Sequence, residues 1–187
     1  DQSKALGEGE VLAGVAQGLD AVVLNPTGVI GPFDFAPSRA GAMLTALFSG
    51  RMRFLVEGGF DWVDARDVCR AACAAIDRGG RGERYLLSGH WASFRELGAL
   101  CGEIAGRPMK RLVVPTALAR LGLPFAMLSA HLTGGEPLFT AESLAIVTHG
   151  CRHCSSAKAT RDLGYRPRPL AETLADTHAW FAGPQAS

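Results

Sequence analysis

Several chemical signatures are absent from this sequence of 187 residues. It contains no Gly-x-Gly-x-x-Gly loop, so the usual cradle for a dinucleotide pyrophosphate is missing from this chain. It contains no Gly-x-Ser-x-Gly elbow either, which argues against a serine hydrolase of the α/β type. What is present is enough apolar sequence, 48% of the residues, to build the core of one domain, or of one and a part.

The sequence also lacks a concentration of charge. The formal net charge is +1, and the one basic cluster, residues 161–168, is interrupted by an aspartate and by prolines. Electrostatics therefore favour neither nucleic acid nor an anionic membrane as the main partner. The most apolar stretch, residues 112–132, contains Arg120, Pro115 and Pro124. We interpret it as buried helix and loop rather than as a membrane span.

Cysteines are few, and their number, five, is odd. Because the first residues are polar and carry no secretory signal, the odd count predicts reduced thiols and a cytoplasmic location. Cys151, His153 and Cys154 have a spacing that metal sites use, but no second ligand pair follows, so we interpret them as a coincidence. Cys69 and Cys73, four residues apart in a helical pattern, are predicted to face the core.

The apolar pattern alternates helices with short strands, which predicts an α/β fold. Residues 3–17 are predicted to form a helix that Gly18 ends, and residues 19–24 a strand buried on both faces. Further strands are predicted at 53–56, 60–63, 84–87 and 110–114. Further helices are predicted at 38–51, from Asp64 or Asp67 to 76, at 93–105, 116–131, 140–148, 155–163 and 170–181. Ser38 is the predicted N-cap of the second helix, and Ser93 with Glu96 forms a predicted capping box.

Five segments occur in an order and spacing that resemble a known family. They are Ser3-Lys4 with Glu8, the loop 23–32 (Val-Leu-Asn-Pro-Thr-Gly-Val-Ile-Gly-Pro), and the segments 60–68, 82–89 and 156–167. Together they resemble the C-terminal half of the extended short-chain dehydrogenase/reductase family, also called the NAD-dependent epimerase/dehydratase family. The details look most like its dihydroflavonol-reductase-like and hopanoid-associated sugar epimerase-like branches.

The resemblance implies the C-terminal part of a Rossmann-like, doubly wound parallel sheet plus a smaller mixed α/β substrate-binding domain, with the N-terminal βαβ nucleotide half missing. Residues 1–32 would end the Rossmann-like domain, and residues 33–187 would form the substrate-binding region, with elements returning to the sheet. A strand made for burial needs neighbours from the missing half. We therefore expect the isolated chain to be unstable or to associate through exposed strand edges.

The resemblance also implies the cofactor site, for NAD or NADP. Lys4 matches the family's catalytic lysine, which lowers the pKa of a tyrosine one helical turn earlier, before the first residue of this chain, and holds the cofactor ribose. Asn25, Pro26, Thr27 and Val29 match the loop at the nicotinamide. Pro26 offers an apolar surface without an N–H, and Thr27 can donate from its hydroxyl. Asn25 stands where the family usually has arginine.

Three residues match segments that contact substrate in some members of the family. They are Arg39, Arg53 and Trp62. The alternatives are solvated surface for the two arginines and core for the tryptophan. Asp67 is interpreted as the N-cap of its helix rather than as a catalytic acid.

By this resemblance the parent protein is expected to be an NAD(P)-dependent carbonyl reductase or dehydrogenase that acts on a small-molecule carbonyl or sugar-like substrate. This chain would supply the lysine and the substrate-binding half. The alternatives are a nucleotide-sugar epimerase or dehydratase of the same family, and a non-catalytic NAD(P)-binding scaffold or sensor. The expected partners are the missing N-terminal half and a second copy of the protein, paired through the helix of residues 3–17.

Overall fold

The computed structural model describes residues 2–36, 38–108, 110–118, 152 and 154–183. Its helices are α1 Gln2–Ala16, α2 Arg39–Phe48, α3 Ala65–Arg78, α4 Phe94–Ile104, α5 Ala157–Leu163 and α6 Leu170–Ala182. Its strands are β1 Val23–Pro26, β2 Gly28–Ile30, β3 Phe54–Val56, β4 Gly59–Asp64, β5 Arg84–Leu87, β6 His90–Ser93 and β7 Leu112–Val114. Most of the predicted helix 116–131, the predicted helix 140–148, Cys151 and His153 lie outside the described residues.

The strands form three small sheets in which parallel pairs predominate. β1 pairs with β5, β2 with β4, and β3 with β7, all in parallel, and β6 adds to β4 in the antiparallel direction. Helices connect the parallel strands, as parallel pairing requires. The predicted α/β class is confirmed, and the division at residue 32 stays a prediction.

The first strand differs from its prediction in position and in burial. β1 begins at Val23 instead of at residue 19, and none of its residues is buried. The backbone of Leu19 is used elsewhere: its N–H donates to the Gly14 carbonyl at the end of α1, and its carbonyl accepts from the Arg81 guanidinium. These groups are therefore not available to a β-ladder. Among the described residues β1 has one strand neighbour, β5.

Two of the predicted helix caps are confirmed, and the predicted cap of α3 is corrected. The Gly41 N–H donates to the Ser38 hydroxyl at 3.0 Å, and both halves of the Ser93–Glu96 capping box are present, so these predictions are confirmed. The N-cap of α3 is Asp64, whose carboxylate accepts from the Arg66 N–H at 2.8 Å. The interpretation of Asp67 as the N-cap was wrong, because Asp67 lies one turn further on and is buried.

The prediction for two of the cysteines is also wrong. Cys69 and Cys73 are exposed on α3. The buried positions of α3 are Asp67, Ala71 and Ala75. Since each residue advances a helix by about 100°, positions two residues away point to the opposite face.

Two arginines hold α1 against the β1–β5 sheet. The Arg81 guanidinium donates to the Val15 carbonyl at 2.8 Å, near the end of the helix. The Arg84 guanidinium donates to the Glu8 carboxylate at 3.0 Å, one to two turns earlier. α1 and β5 therefore run in opposite directions, so that residues earlier in α1 lie beside residues later in β5. Lys4, one turn before Glu8, lies towards the carboxyl ends of the β1 and β5 strands.

The larger core cluster is built between α2, α4 and α6. Leu44 and Leu47 of α2, Leu97 of α4 and Leu174 of α6 are almost completely buried. Burying one such side chain stabilises the fold by about 1.5–3 kcal/mol relative to leaving it exposed. This cluster fixes α2 against the sheet of β2 and β4, and so positions the loop between β2 and α2.

Candidate functional site

The candidate site lies where the chain passes from one sheet to another. β1 pairs with β5, whereas β2 pairs with β4, and Thr27 is the single residue between β1 and β2. The Thr27 N–H still donates to the Leu87 carbonyl of the first sheet, at 3.2 Å. Crevices at the carboxyl ends of parallel strands, where neighbouring strands diverge, are the usual ligand sites of α/β sheets.

A buried carboxylate accepts hydrogen bonds from two chain segments at this crossing. The same oxygen of Asp61, on β4, accepts from the Thr27 hydroxyl at 2.6 Å and from the Gly89 N–H at 2.7 Å. A buried carboxylate needs such donors, because leaving it unpaired costs several kcal/mol. Asp61 therefore fixes the relative positions of the ends of β1 and β5 and the strand β4. The Thr27 hydroxyl hydrogen, which the resemblance assigned to the cofactor, is engaged by Asp61.

Two glycines allow β2 and the residues after β5 to come close to the backbone of β4. A side chain at Gly28 would overlap the Phe60 ring and the Asp61 carbonyl oxygen. A side chain at Gly89 would overlap the backbone of Trp62 and Val63 on β4. β2 and the residues after β5 can therefore lie this close to β4 only because neither position carries a side chain.

The predicted cofactor residues gather at this end of the sheet. Asn25 and Pro26 are exposed at the end of β1, and Val29, on β2, is 41% exposed. Lys4 is exposed in the first turn of α1, the end of the helix that lies towards the carboxyl ends of β1 and β5. Cofactor contact by these residues stays a prediction. No residue of α1 is buried, and pairing of two copies through this helix also stays a prediction.

A pocket of 290 Å³ adjoins Val29. Most of its wall is apolar, with two glycines, and its polar lining residues are an aspartate and a serine. The lining residues are Val29, Ile30, Gly31, Pro32, Phe33, Asp34, Ser38, Gly41, Leu44 and Ala65.

None of the three predicted substrate residues lines this pocket. Arg39 is exposed in the first turn of α2, next to the lining residue Ser38, and Arg53 is exposed just before β3. Trp62 is 7% exposed and lies between the rings of Phe60 and Phe94 in the core. The placement of Trp62 supports the alternative interpretation, a core residue, and substrate contact by the arginines stays a prediction.

Sequence reasoning assigned Val29 to the cofactor and Ser38 to a helix cap, but it assigned no role to Phe33, which lines the pocket, or to Asp61, which accepts from Thr27. The role of Asp61 could have been predicted from its sequence position, because an aspartate inside an otherwise apolar strand needs buried donors. Phe33 carried no such signal, because its left-handed backbone (φ 73°) depends on packing that is distant in sequence.

A partly buried ion-pair network lies at the start of α3, the helix that begins at the lining residue Ala65. Asp64 accepts from the Arg66 guanidinium at 2.8 and 3.0 Å. Asp67 accepts from the backbone N–H of Arg168 at 2.7 Å and from its guanidinium at 3.0 and 3.1 Å. Arg66 also pairs with Asp176 of α6 at 2.7 Å. These bonds attach the start of α3 to α6 and its preceding loop.

Asp64 makes the stability of this attachment depend on pH. Burial raises the pKa of Asp64, but the hydrogen bonds from the Arg66 guanidinium and N–H, and the Arg66 charge, lower it below its ordinary value of 3.8. The folded state therefore favours the carboxylate. Its contribution is present in full above the ordinary pKa and declines as the pH falls through the lower pKa of the folded protein.

We expect the urea midpoint to fall less for Asp64→Asn than for the wild type when the pH is lowered from about 6 to about 3. Asparagine caps a helix as well as aspartate does, so the cap is retained while the titrating group is lost. The exposed Asp20 provides the control: Asp20→Asn should keep the wild-type pH response. An identical response of Asp64→Asn and the wild type would contradict the assignment.

Comparison with known proteins agrees with this geometry. A family model described as the NAD dependent epimerase/dehydratase family matches residues 1–88, which include Lys4 and the Thr27 crossing. The sterol demethylase protein B of Methylococcus capsulatus is 35% identical over 186 residues, 97% of this chain. This chain belongs to the NAD-dependent epimerase/dehydratase family. The resemblance drawn from its motifs is confirmed.

Other members of the family match nearly the whole chain. The putative dihydroflavonol 4-reductase of a Synechocystis species is 30% identical over 187 residues. The solved structure of PA4631, a nucleoside-diphosphate-sugar epimerase from Pseudomonas aeruginosa, is 27% identical with a TM-score of 0.72 over 96% of this chain and 53% of that one. The chain spans about half the length of its curated relatives, 56% of the Methylococcus protein and 53% of the Synechocystis protein.

Two other kinds of site were sought in the described part of the chain. Its histidine, cysteine, aspartate and glutamate side chains form no group of three with the geometry of a metal site. Within the same residues, no helix combines the length and the apolar character that crossing a bilayer needs.

Proposed function

We propose that this family member forms the lysine-bearing and substrate-binding half of an NAD(P)-dependent oxidoreductase that interconverts a carbonyl group and an alcohol. The observation that carries the proposal is the exposed apolar surface of Pro26 and Val29 at the carboxyl ends of β1 and β2. That surface adjoins the 290 Å³ pocket and lies at the end of the β1–β5 sheet towards which the first turns of α1 extend.

These residues fit a nicotinamide cofactor. Pro26 has no N–H to leave unsatisfied under an aromatic ring, and Val29 extends the apolar surface. The exposed side-chain amide of Asn25 offers both a donor and an acceptor to a carboxamide. Thr27 and Asp61 hold this loop in place. A bound nicotinamide would supply or accept hydride.

Lys4 is assigned the electrostatic role. The family motif places a tyrosine one helical turn before it, and residues four apart on a helix share a face. The ammonium of Lys4 lowers the pKa of that phenol, so that the phenol exchanges a proton with the substrate oxygen near neutral pH. The exposure of Lys4 leaves its Nζ accessible to the cofactor ribose.

A nucleotide-sugar epimerase is the second candidate, because the fold and sequence are also similar to the Pseudomonas enzyme of that name. Such an enzyme uses the same lysine and the same nicotinamide wall. The two candidates differ in whether the reaction leaves a net change in the oxidation state of the cofactor.

The test is hydride transfer by the purified parent protein, including the half that carries the tyrosine, followed through the absorbance of the reduced nicotinamide. We expect oxidation of NADH or NADPH to be coupled to reduction of a carbonyl substrate, with one of the two cofactors preferred. Conversion of a nucleotide sugar to its epimer, with no net change in cofactor, would establish the second candidate. Binding of the cofactor without either reaction would overturn both.

A further inference from the structure

The wall of the 290 Å³ pocket has a definite chemical character. Its volume lies at the lower end of the range for small-molecule sites, about 300–1,000 Å³. Among the described residues that line it there is neither lysine nor arginine, although nineteen such residues occur in the chain. A site for a diphosphate would need cationic or N–H donors directed at the phosphate oxygens.

The charged group that does line the pocket is an anion. Both oxygens of Asp34 accept from the Ser38 N–H, at 3.0 and 3.1 Å, and one also accepts from the Ser38 hydroxyl at 2.8 Å. These bonds hold the carboxylate at the wall. A phosphate or carboxylate on the substrate would therefore meet a like charge there.

An aromatic side chain forms part of the pocket wall. Phe33 lines the pocket and packs on Trp180 of α6, with ring centroids 4.9 Å apart. Phe35 packs on the same tryptophan at 5.1 Å but does not line the pocket. Phe33 is 57% exposed although its backbone is in the left-handed region, which bulky residues rarely adopt. Residues held in sparsely populated backbone conformations cluster at active and ligand-binding sites.

We propose that this pocket takes an uncharged ketone that carries a flat ring system, or the corresponding alcohol, and that it excludes phosphorylated and nucleotide-linked substrates. Phe33 supplies the face against which the ring of the substrate packs, and Asp34 supplies the charge selection. The proposal rests on the proposed function only in that the bound ketone is the group reduced.

The first test is binding, measured by equilibrium dialysis with and without NADPH or NADH. The probes are 2-acetylnaphthalene, its charged analogue 6-acetyl-2-naphthoate, and UDP. We expect the neutral ketone to bind at least about tenfold more tightly than the carboxylate, and UDP to compete with neither. Tighter binding of UDP than of the neutral ketone, or no binding of the ketone, would overturn the proposal.

The second test uses a matched pair of variants. Phe33→Ala and Phe35→Ala each remove a largely exposed ring that packs on Trp180, but only Phe33 lines the pocket. We expect Phe33→Ala to raise the Kd for 2-acetylnaphthalene about tenfold and Phe35→Ala to change it by less than about twofold. Equal effects of the two substitutions would show that Phe33 acts only through the packing on Trp180.

Asp34→Asn tests the charge selection separately. The substitution keeps an oxygen acceptor for Ser38 and removes the negative charge. Binding of 6-acetyl-2-naphthoate should become about fivefold tighter, while binding of the neutral ketone changes by less than about twofold. An unchanged preference between the two probes would contradict the role of Asp34.

Failure of this proposal is distinguishable from failure of the proposed function. Ketone binding with no hydride transfer would leave the pocket assignment standing and overturn the function. Hydride transfer confined to phosphorylated or nucleotide-linked substrates, without ketone binding, would do the reverse.

Discussion

Replacing Lys4 by methionine is expected to lower kcat for carbonyl reduction by about 100-fold or more, the usual loss when assisted proton transfer is disabled. Methionine keeps the length and helix propensity of the side chain, so α1 should remain folded. Without the ammonium, the pKa of the tyrosine rises. The pH at which alcohol oxidation reaches half of its maximum should therefore move upward by about 1 unit or more.

The pH profile separates this role from a structural one. Lys4→Arg keeps the positive charge and should restore most of the wild-type profile, although with altered ribose contacts. Lys110→Met is the matched control, since Lys110 is also exposed but lies beside β7, in another sheet. A Lys4→Met enzyme with wild-type kcat and an unshifted profile would remove Lys4 from the mechanism.

Replacing Gly89 by alanine is expected to destabilise the protein by about 3 kcal/mol or more, or to prevent folding. The new methyl group would overlap the Trp62 carbonyl and the Val63 Cα, and the backbone of a paired strand cannot move away as a side chain can. Moving the end of β5 away from β4 would also lengthen the bond from the Gly89 N–H to Asp61. The urea midpoint, or the soluble yield if folding fails, measures the effect.

Gly9→Ala is the control for this substitution. Gly9 lies inside α1, and nothing within 4 Å would touch the added methyl group. Alanine there should be neutral or stabilise the protein by about 0.5–1 kcal/mol, because glycine weakens a helix interior. If Gly89→Ala were as stable as the wild type, the close approach to β4 of the link between β5 and β6 would be wrong.

The elements with local signals were predictable. The Ser93–Glu96 capping box and the Ser38 cap depend on residues within one turn of each other, so reading the chain in order finds them. The strand 84–87 was also predicted with its observed limits. By contrast, β2 and β6 were not predicted, and both strands form by pairing with β4, which is distant from each of them in sequence.

The predictions that failed concern which face of an element is buried. Cys69 and Cys73 share a face of α3, as their spacing indicated, but the aspartate and alanine face packs inward. That choice depends on Arg168, a hundred residues away, which binds the buried Asp67 carboxylate. A polar residue can be buried where a hydrogen-bonding partner is available, and the partner of Asp67, which is Arg168, is distant in sequence.

The sequence by itself determined the family, the α/β class and the position of Lys4 on its helix, because ordered motifs and short-range spacing carry that information. Only the tertiary structure decided that Asp61 joins Thr27 to Gly89, that Trp62 lies in the core, and which residues line the pocket. Thr27 and Asp61 are 34 residues apart, and no local pattern encodes their 2.6 Å contact. Such contacts form only when strands from separate sheets are brought together, and this packing creates the site.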